Sequence, residues 1–173
     1  YSLERVSLNA LPNSPTAWRQ SSEINGTPGT HFITPSASEI RISEIYASSD
    51  PLKPGDVDFV ELLNNTEQSI DLSGWHLTDS PDDLERLTLP TGTLIDASSH
   101  LVIFLIPQEQ AADTIGAFGL NSKGETLFLF DADGYPIDQI RFGNQVPGHS
   151  LSRFEDQWTL SLPTPDEENQ EAI

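Results

Sequence analysis

The residues whose types and spacing suit chemistry in this chain are mostly carboxylates. Asp131-x-Asp133-Gly134 has the form of the opening of an oxygen-ligand loop, and Asp79, Asp82 and Asp83 cluster in a second. Hard oxygen ligands of this kind suit calcium. The first loop lacks the bidentate Glu that completes an EF-hand, and its Asp-Gly pair doubles as a hairpin signal. Calcium at these five aspartates is one expectation, and a chain that needs no cofactor is the plainer one. His31, His76, His100 and His149 lie far apart and form no H-x-x-x-H or H-E-x-x-H pattern, so a zinc site is not expected. Gly148-His149-Ser150 continues with Leu151-Ser152 and so fails the G-x-S-x-G elbow. There is no P-loop and no dinucleotide fingerprint. With 27 acids, pairs of carboxyls at a glycosidase spacing arise by accident. The chain is therefore read as no enzyme.

Charge narrows the partners. The formal net charge is −19, and residues 1–38 hold two bases and two acids, leaving six bases and 25 acids from Glu39 onward. Those bases (Arg41, Lys53, Arg86, Lys123, Arg141, Arg153) are scattered and make no basic stripe. Such a surface repels phosphate backbones and anionic headgroups, so neither nucleic acid nor membrane is an expected partner. The longest compact apolar run, 101–106, has strand length, well short of the roughly 20 residues of a membrane span. The absence of Cys excludes disulfides and thiol chemistry. Starting at Tyr1 with no Met, the sequence reads as a mature or excised fragment.

The elements that would carry these loops read as strands. The central stretch, 57–79, holds an alternating strand over Val57–Asn64, a polar turn, and a second strand anchored by Trp75. Val60 and Leu62 face one side of the first strand, Phe59 and Leu63 the other. Leu72, Trp75 and Leu77 join Val60 and Leu62 as expected core, because a buried aromatic removes a large apolar area from water. Asn64 and Glu61, at a strand end, are assigned to satisfying turn backbone groups. Further strands are expected at EIRISEIY (39–46), RLTLP (86–90), HLVIFLI (100–106), ETLFLFD (125–131), YPIDQIRF (135–142), SLSRF (150–154) and QWTLS (157–161). Ala132-Asp133-Gly134 makes a hairpin turn, 107–118 holds the one candidate helical turn, and the acidic end PDEENQEAI is expected to fray. Seven to nine short strands with almost no helix indicate an all-β, immunoglobulin-like Greek-key β-sandwich.

Both ends of the chain carry one pattern. Ser2, Leu3, Arg5, Trp18, Thr27 and Pro28 recur in order as Ser150, Leu151, Arg153, Trp158, Thr164 and Pro165, with eight extra residues before the first Trp and three after it. We read this as an internal repeat. Residues 1–37 are then the closing segment of a preceding copy plus a linker, 38–170 the complete domain, and 171–173 a frayed tail.

Residues 38–170 resemble the lamin-tail domain as it occurs in bacterial proteins. The resemblance rests on the order of E-L-x-N (Glu61, Leu62, Asn64), D-L-S-G-W (Asp71 to Trp75), L-N-S-K-G-E (Leu120 to Glu125) and the closing S-L-x-R...W...T-P. The family's closing motif usually runs Thr-Pro-Gly and ends with Asn; here Asp166 stands for the Gly in one copy, and Phe32 for the Asn in the other. The resemblance implies a secreted or cell-surface location in bacteria. Together with the internal repeat it gives a non-catalytic module, one unit of a tandem array, binding a protein or surface polymer. The alternatives are a targeting domain of a secreted hydrolase or nuclease and a calcium-stabilised adhesion module. The orphan N-terminal segment should dock or add to a sheet edge, an opening for self-association.

Overall fold

The computed structural model describes residues 3–5, 18–20, 39–47, 57–105 and 118–171. The chain divides into two compact units, Tyr1–Glu39 and Ile40–Ile173. In the first, β1 (Leu3–Arg5) and β2 (Trp18–Gln20) pair antiparallel, with Arg5 opposite Trp18.

The second unit carries β3 (Ile40–Tyr46), β4 (Asp58–Asn64), β5 (Ile70–Asp71), β6 (His76–Thr78), β7 (Leu94–Ile95), β8 (His100–Leu105), β9 (Thr126–Phe130), β10 (Pro136–Arg141), β11 (Ser150–Phe154) and β12 (Gln157–Ser161). Five strands form one sheet in the order β12-β11-β3-β4-β8, and three form another in the order β10-β9-β6. β5 and β7 make a separate two-residue ladder. Every strand pair among the described residues of this unit is antiparallel. This is the expected all-β sandwich, with more strands than expected because the β5–β7 ladder adds two of minimal length. No α-helix occurs among the described residues, and no helix there is long and apolar enough to cross a membrane.

One apolar core joins the sheets. Ile42, Ile45, Val60, Leu62 and Ile103 come from the larger sheet, and Leu77, Leu127, Leu129 and Ile140 from the smaller. Alternation along β4 sends Val60 and Leu62 into this core and Phe59 and Glu61 to the opposite face, where both are also buried. β3 breaks the alternation: Ile42 pairs with Leu62 but Ile45 pairs with Val60, so one extra residue forms a β-bulge at Ser43. The bulge lets Ile40, Ile42 and Ile45 all reach the core despite their uneven spacing, and it sets Glu44 opposite Glu61.

Several local readings change. Leu72 and Leu77 are fully buried, whereas Trp75 is half-buried and packs on the core from its margin. The expected strand at 86–90 is reduced to one bridge, Thr88 with His76, because Leu84–Arg86 winds into a 3-10 turn capped by Asp83. Leu87 and Leu89 still enter the core. The acidic end does not fray through Glu171, which bridges Ser161. The expected helical turn, 107–118, lies outside the described residues except for Phe118, which is buried in the core.

The Leu120–Glu125 turn approaches the end of β10 closely. Gly124 has φ +107°, and a Cβ added there would lie 2.5 Å from the Phe142 carbonyl oxygen and 2.7 Å from Gly143 Cα. Backbone atoms cannot move aside as a flexible side chain can. Gly124→Ala should therefore cost about 3 kcal/mol or more, read as a lower urea midpoint with an unchanged slope.

Candidate functional site

The densest polar cluster is built around two glutamates. β3 and β4 hold Glu44 and Glu61 side by side, and both are fully buried. No Lys or Arg among the described residues lies within ion-pair distance of either. The charge is met by hydrogen-bond donors instead. Ser150 Oγ and Ser152 Oγ, on β11, donate to Glu44 Oε1, the latter at 3.0 Å. Thr164 donates its backbone N–H to both Glu44 oxygens, at 3.2 and 3.1 Å, and its Oγ1 hydroxyl to Oε2 at 3.3 Å. Ser161 Oγ lies in hydrogen-bond contact with both Ser150 Oγ and Ser152 Oγ.

Glu61 is held from both directions along the chain. Ser43, the bulge residue, donates its hydroxyl to Oε1 at 2.6 Å, and the Asp166 backbone N–H donates to Oε2 at 2.8 Å. His100 Nε2, on β8, stands 3.9 Å from Oε1. Burial pushes the Glu61 carboxyl above its ordinary pKa, opposed by the bonds from Ser43 and Asp166 and by His100, and reinforced by Glu44. Asn169 completes the clamp by donating to the carbonyls of Ser43 and Arg153. The segment after β12 is thus tied across the outer face of the sheet.

A second tie joins the two sheets. Arg153 Nη1 lies 2.7 Å from Asp138 Oδ2 on β10, and the same oxygen accepts the Ile42 N–H at 2.9 Å. The Arg153 guanidinium also lies 5.8 Å from the centre of the Trp158 ring, its register partner. Asn64 acts as a turn staple: its amide donates to the carbonyls of Gln68, Ile95 and Asp96, and its Oδ1 accepts from Thr66.

Two adjacent carboxyls are raw material for acid–base chemistry, yet these are sealed from solvent and both oxygens of each already accept hydrogen bonds. The arrangement is a latch. Reading the sequence missed Glu44, which is one acid among 27. Its available signal was the Ile42-x-x-Ile45 spacing, which marks the bulge.

The aspartates expected to bind calcium have local partners. Asp131 Oδ1 accepts the N–H groups of Asp133 and Tyr135 in the β9–β10 turn, where Gly134 takes φ +80°. Asp79 pairs with Arg86 at 3.1 Å, and Asp83 accepts the Glu85 N–H; Asp82 and Asp133 are exposed. The two loops approach each other, since a Cβ on Gly134 would lie 3.4 Å from Leu84 Cδ1. No group of three or more His, Cys, Asp or Glu residues among those described is placed to hold a metal ion. An open depression of about 620 Å³ is lined by Lys123, Glu125, Thr126, Arg141 and Phe142 with Gly124 and Gly143.

The family model described as Lamin Tail Domain matches residues 33–144. The chain belongs to the lamin tail domain family. Among curated proteins none matches it. The lamin-tail match includes Glu44 and Glu61 but stops before β11, so Ser150, Ser152, Thr164, Asp166 and Asn169, which hold the two glutamates, all lie outside the matched span. In this lamin-tail domain the closing hairpin is nevertheless an integral part of the larger sheet.

Two outcomes test the latch. Glu44→Ala leaves buried donors without an acceptor and should cost about 3 kcal/mol or more; faster amide exchange at Thr164 and Asp166 would show the release. Glu61, with its folded pKa raised, contributes stability that is fully present below its ordinary value of 4.5 and lost as pH rises through the folded value. Urea midpoints should therefore fall from pH 4.5 toward neutrality, and Glu61→Gln should make that fall shallower.

Proposed function

We propose that the chain is a non-catalytic structural and interaction module, one unit of a tandem lamin-tail array at the outside of a bacterial cell, holding a protein or surface polymer. The observation that carries the array is a register identity. β1 and β2 pair with Arg5 opposite Trp18, as β11 and β12 pair with Arg153 opposite Trp158. Leu3 and Gln20 likewise stand opposite each other, as do Leu151 and Leu160. Sequence order alone suggested the repeat; the shared strand pairing supports it independently.

The binding role is supported by β8, which ends the larger sheet among the described residues and presents Phe104, 53% exposed, at the end of a row of rings with Phe59 and Tyr46. A terminal strand with an aromatic anchor suits strand addition or polymer contact. The external location is inferred from the family resemblance.

The gene decides the array. Its coding sequence ahead of Tyr1 should specify another β-sandwich with glutamates at the positions of Glu44 and Glu61. Any other kind of domain there would remove the array reading.

A further inference from the structure

Two cations at the end of the smaller sheet stand without a carboxylate partner among the described residues. Acids outnumber bases by 27 to 8 in the chain, and most of the bases described in the second unit are engaged. Arg86 pairs with Asp79, Arg153 pairs with Asp138, and Arg41 donates to the Glu155 carbonyl. Lys123 and Arg141 are exposed and form no ion pair with any described residue. Both line the open depression of about 620 Å³, a volume within the range of small-ligand sites. We infer that this depression and the outer face of β9 and β10 bind a polysaccharide containing uronic acids, with a sugar carboxylate on Lys123 and Arg141. This rests on the reading of the chain as the holder of a surface polymer, names the chemistry of that polymer, and sets it on the smaller sheet rather than on β8.

The strand register places further groups beside the cations. Arg141 stands opposite Thr126, and Gln139 opposite Phe128. Alternation sends Leu127, Leu129 and Ile140 into the core, so Thr126, Phe128, Gln139 and Arg141 share the outer face of the ribbon. The half-buried Phe128 ring stacks with Phe130, their centroids 6.2 Å apart. One face thus offers a guanidinium, a hydroxyl, an amide and an aromatic ring, and Lys123 adds an ammonium from the turn that precedes β9. Gly124 and Gly143, in the lining beside them, carry no side chain to keep a ligand from the backbone.

A sugar acid uses all of these groups. The Arg141 fork meets a carboxylate with two parallel hydrogen bonds, the Thr126 hydroxyl and Gln139 amide each donate to and accept from sugar hydroxyls, and the Phe128 ring supplies the apolar contact that ligand sites add to a few polar groups. An acidic peptide reaches the cations but leaves the ring and the amide unused. The net charge of −19 selects among anions. A phosphate monoester with about two charges is repelled roughly twice as strongly as a carboxylate, and the more distant acids are screened beyond about 8 Å at physiological salt. The one acid in the lining, Glu125, follows Leu127 to the core side of its strand, where it accepts the Asn121 N–H at 2.7 Å. Burial, with Asp79 and Asp58 nearby, pushes its carboxyl above the ordinary pKa, which lessens its opposition to an incoming carboxylate.

Amide chemical shifts of the full chain, titrated with tetragalacturonate, test this. Neutral cellotetraose and an acetylated, amidated tetraglutamate of the same charge serve as comparison probes. The expected result is a saturable set of shifts confined to 123–126, Phe128, Gln139 and 141–143. Binding should weaken about tenfold or more in Lys123→Gln and in Arg141→Gln, and further as salt rises. Both variants change exposed side chains, so their urea midpoints should match that of the parent. The inference is overturned by the absence of saturable shifts, by equal binding of cellotetraose, by tighter binding of tetraglutamate, or by shifts centred elsewhere. Shifts confined to 100–105 would overturn it while leaving the surface-polymer reading in place. Shifts at the β9–β10 ribbon support it whatever the gene encodes ahead of Tyr1, so the two readings fail separately.

Discussion

Burying a carboxylate with no cation beside it is the constraint on which the larger sheet depends. An uncompensated charge removed from water is costly, and it is tolerated when enough donors converge on it. Glu44 meets this condition with three hydroxyls and a backbone N–H, every one of them from β11 or the segment that follows β12. The glutamate and the closing segment therefore need each other. Without Glu44, the segment has buried donors and no acceptor. Without the segment, two acids stand directly opposite on neighbouring strands, a pairing that destabilises a sheet.

The β-bulge makes this arrangement compatible with a core. Ile42 and Ile45 both serve the apolar interior only because Ser43 is inserted between paired positions. The same insertion turns Glu44 toward Glu61 and supplies the hydroxyl that bonds the second carboxylate. One extra residue thus serves packing on one face and polar satisfaction on the other. Asp138 connects the faces, since it accepts the Ile42 N–H beside the bulge and the Arg153 guanidinium on β11.

Much of this fold could be read from residues, where local physics decides alone. β11 and β12 occupy the expected residues, and β4 follows its alternation. Asn64 satisfies turn carbonyls because a short amide at a strand end can reach them. Legibility failed where tertiary partners override local pattern. Residues 86–90 have strand composition, yet the cap at Asp83 and the turn at Leu84–Arg86 take up the first of them. The acidic end looked free because its charges suggest solvation. Its anchoring instead uses the backbone N–H of Asp166 and the amide of Asn169, which composition does not reveal. Glu44 was invisible for the opposite reason: a buried acid and a surface acid are the same letter.

The position of the latch sets an order of assembly during synthesis. β3 is the first strand of the domain to be made, and the groups that satisfy its glutamate come 106 to 120 residues later. Until those residues leave the ribosome, β3 has one sheet neighbour, β4, and an open flank. Contacts of such long sequence separation slow folding, because the loop entropy is spent before the contact forms. The domain thus closes from its end, and the buried Glu44 side chain waits for partners made after almost the whole domain.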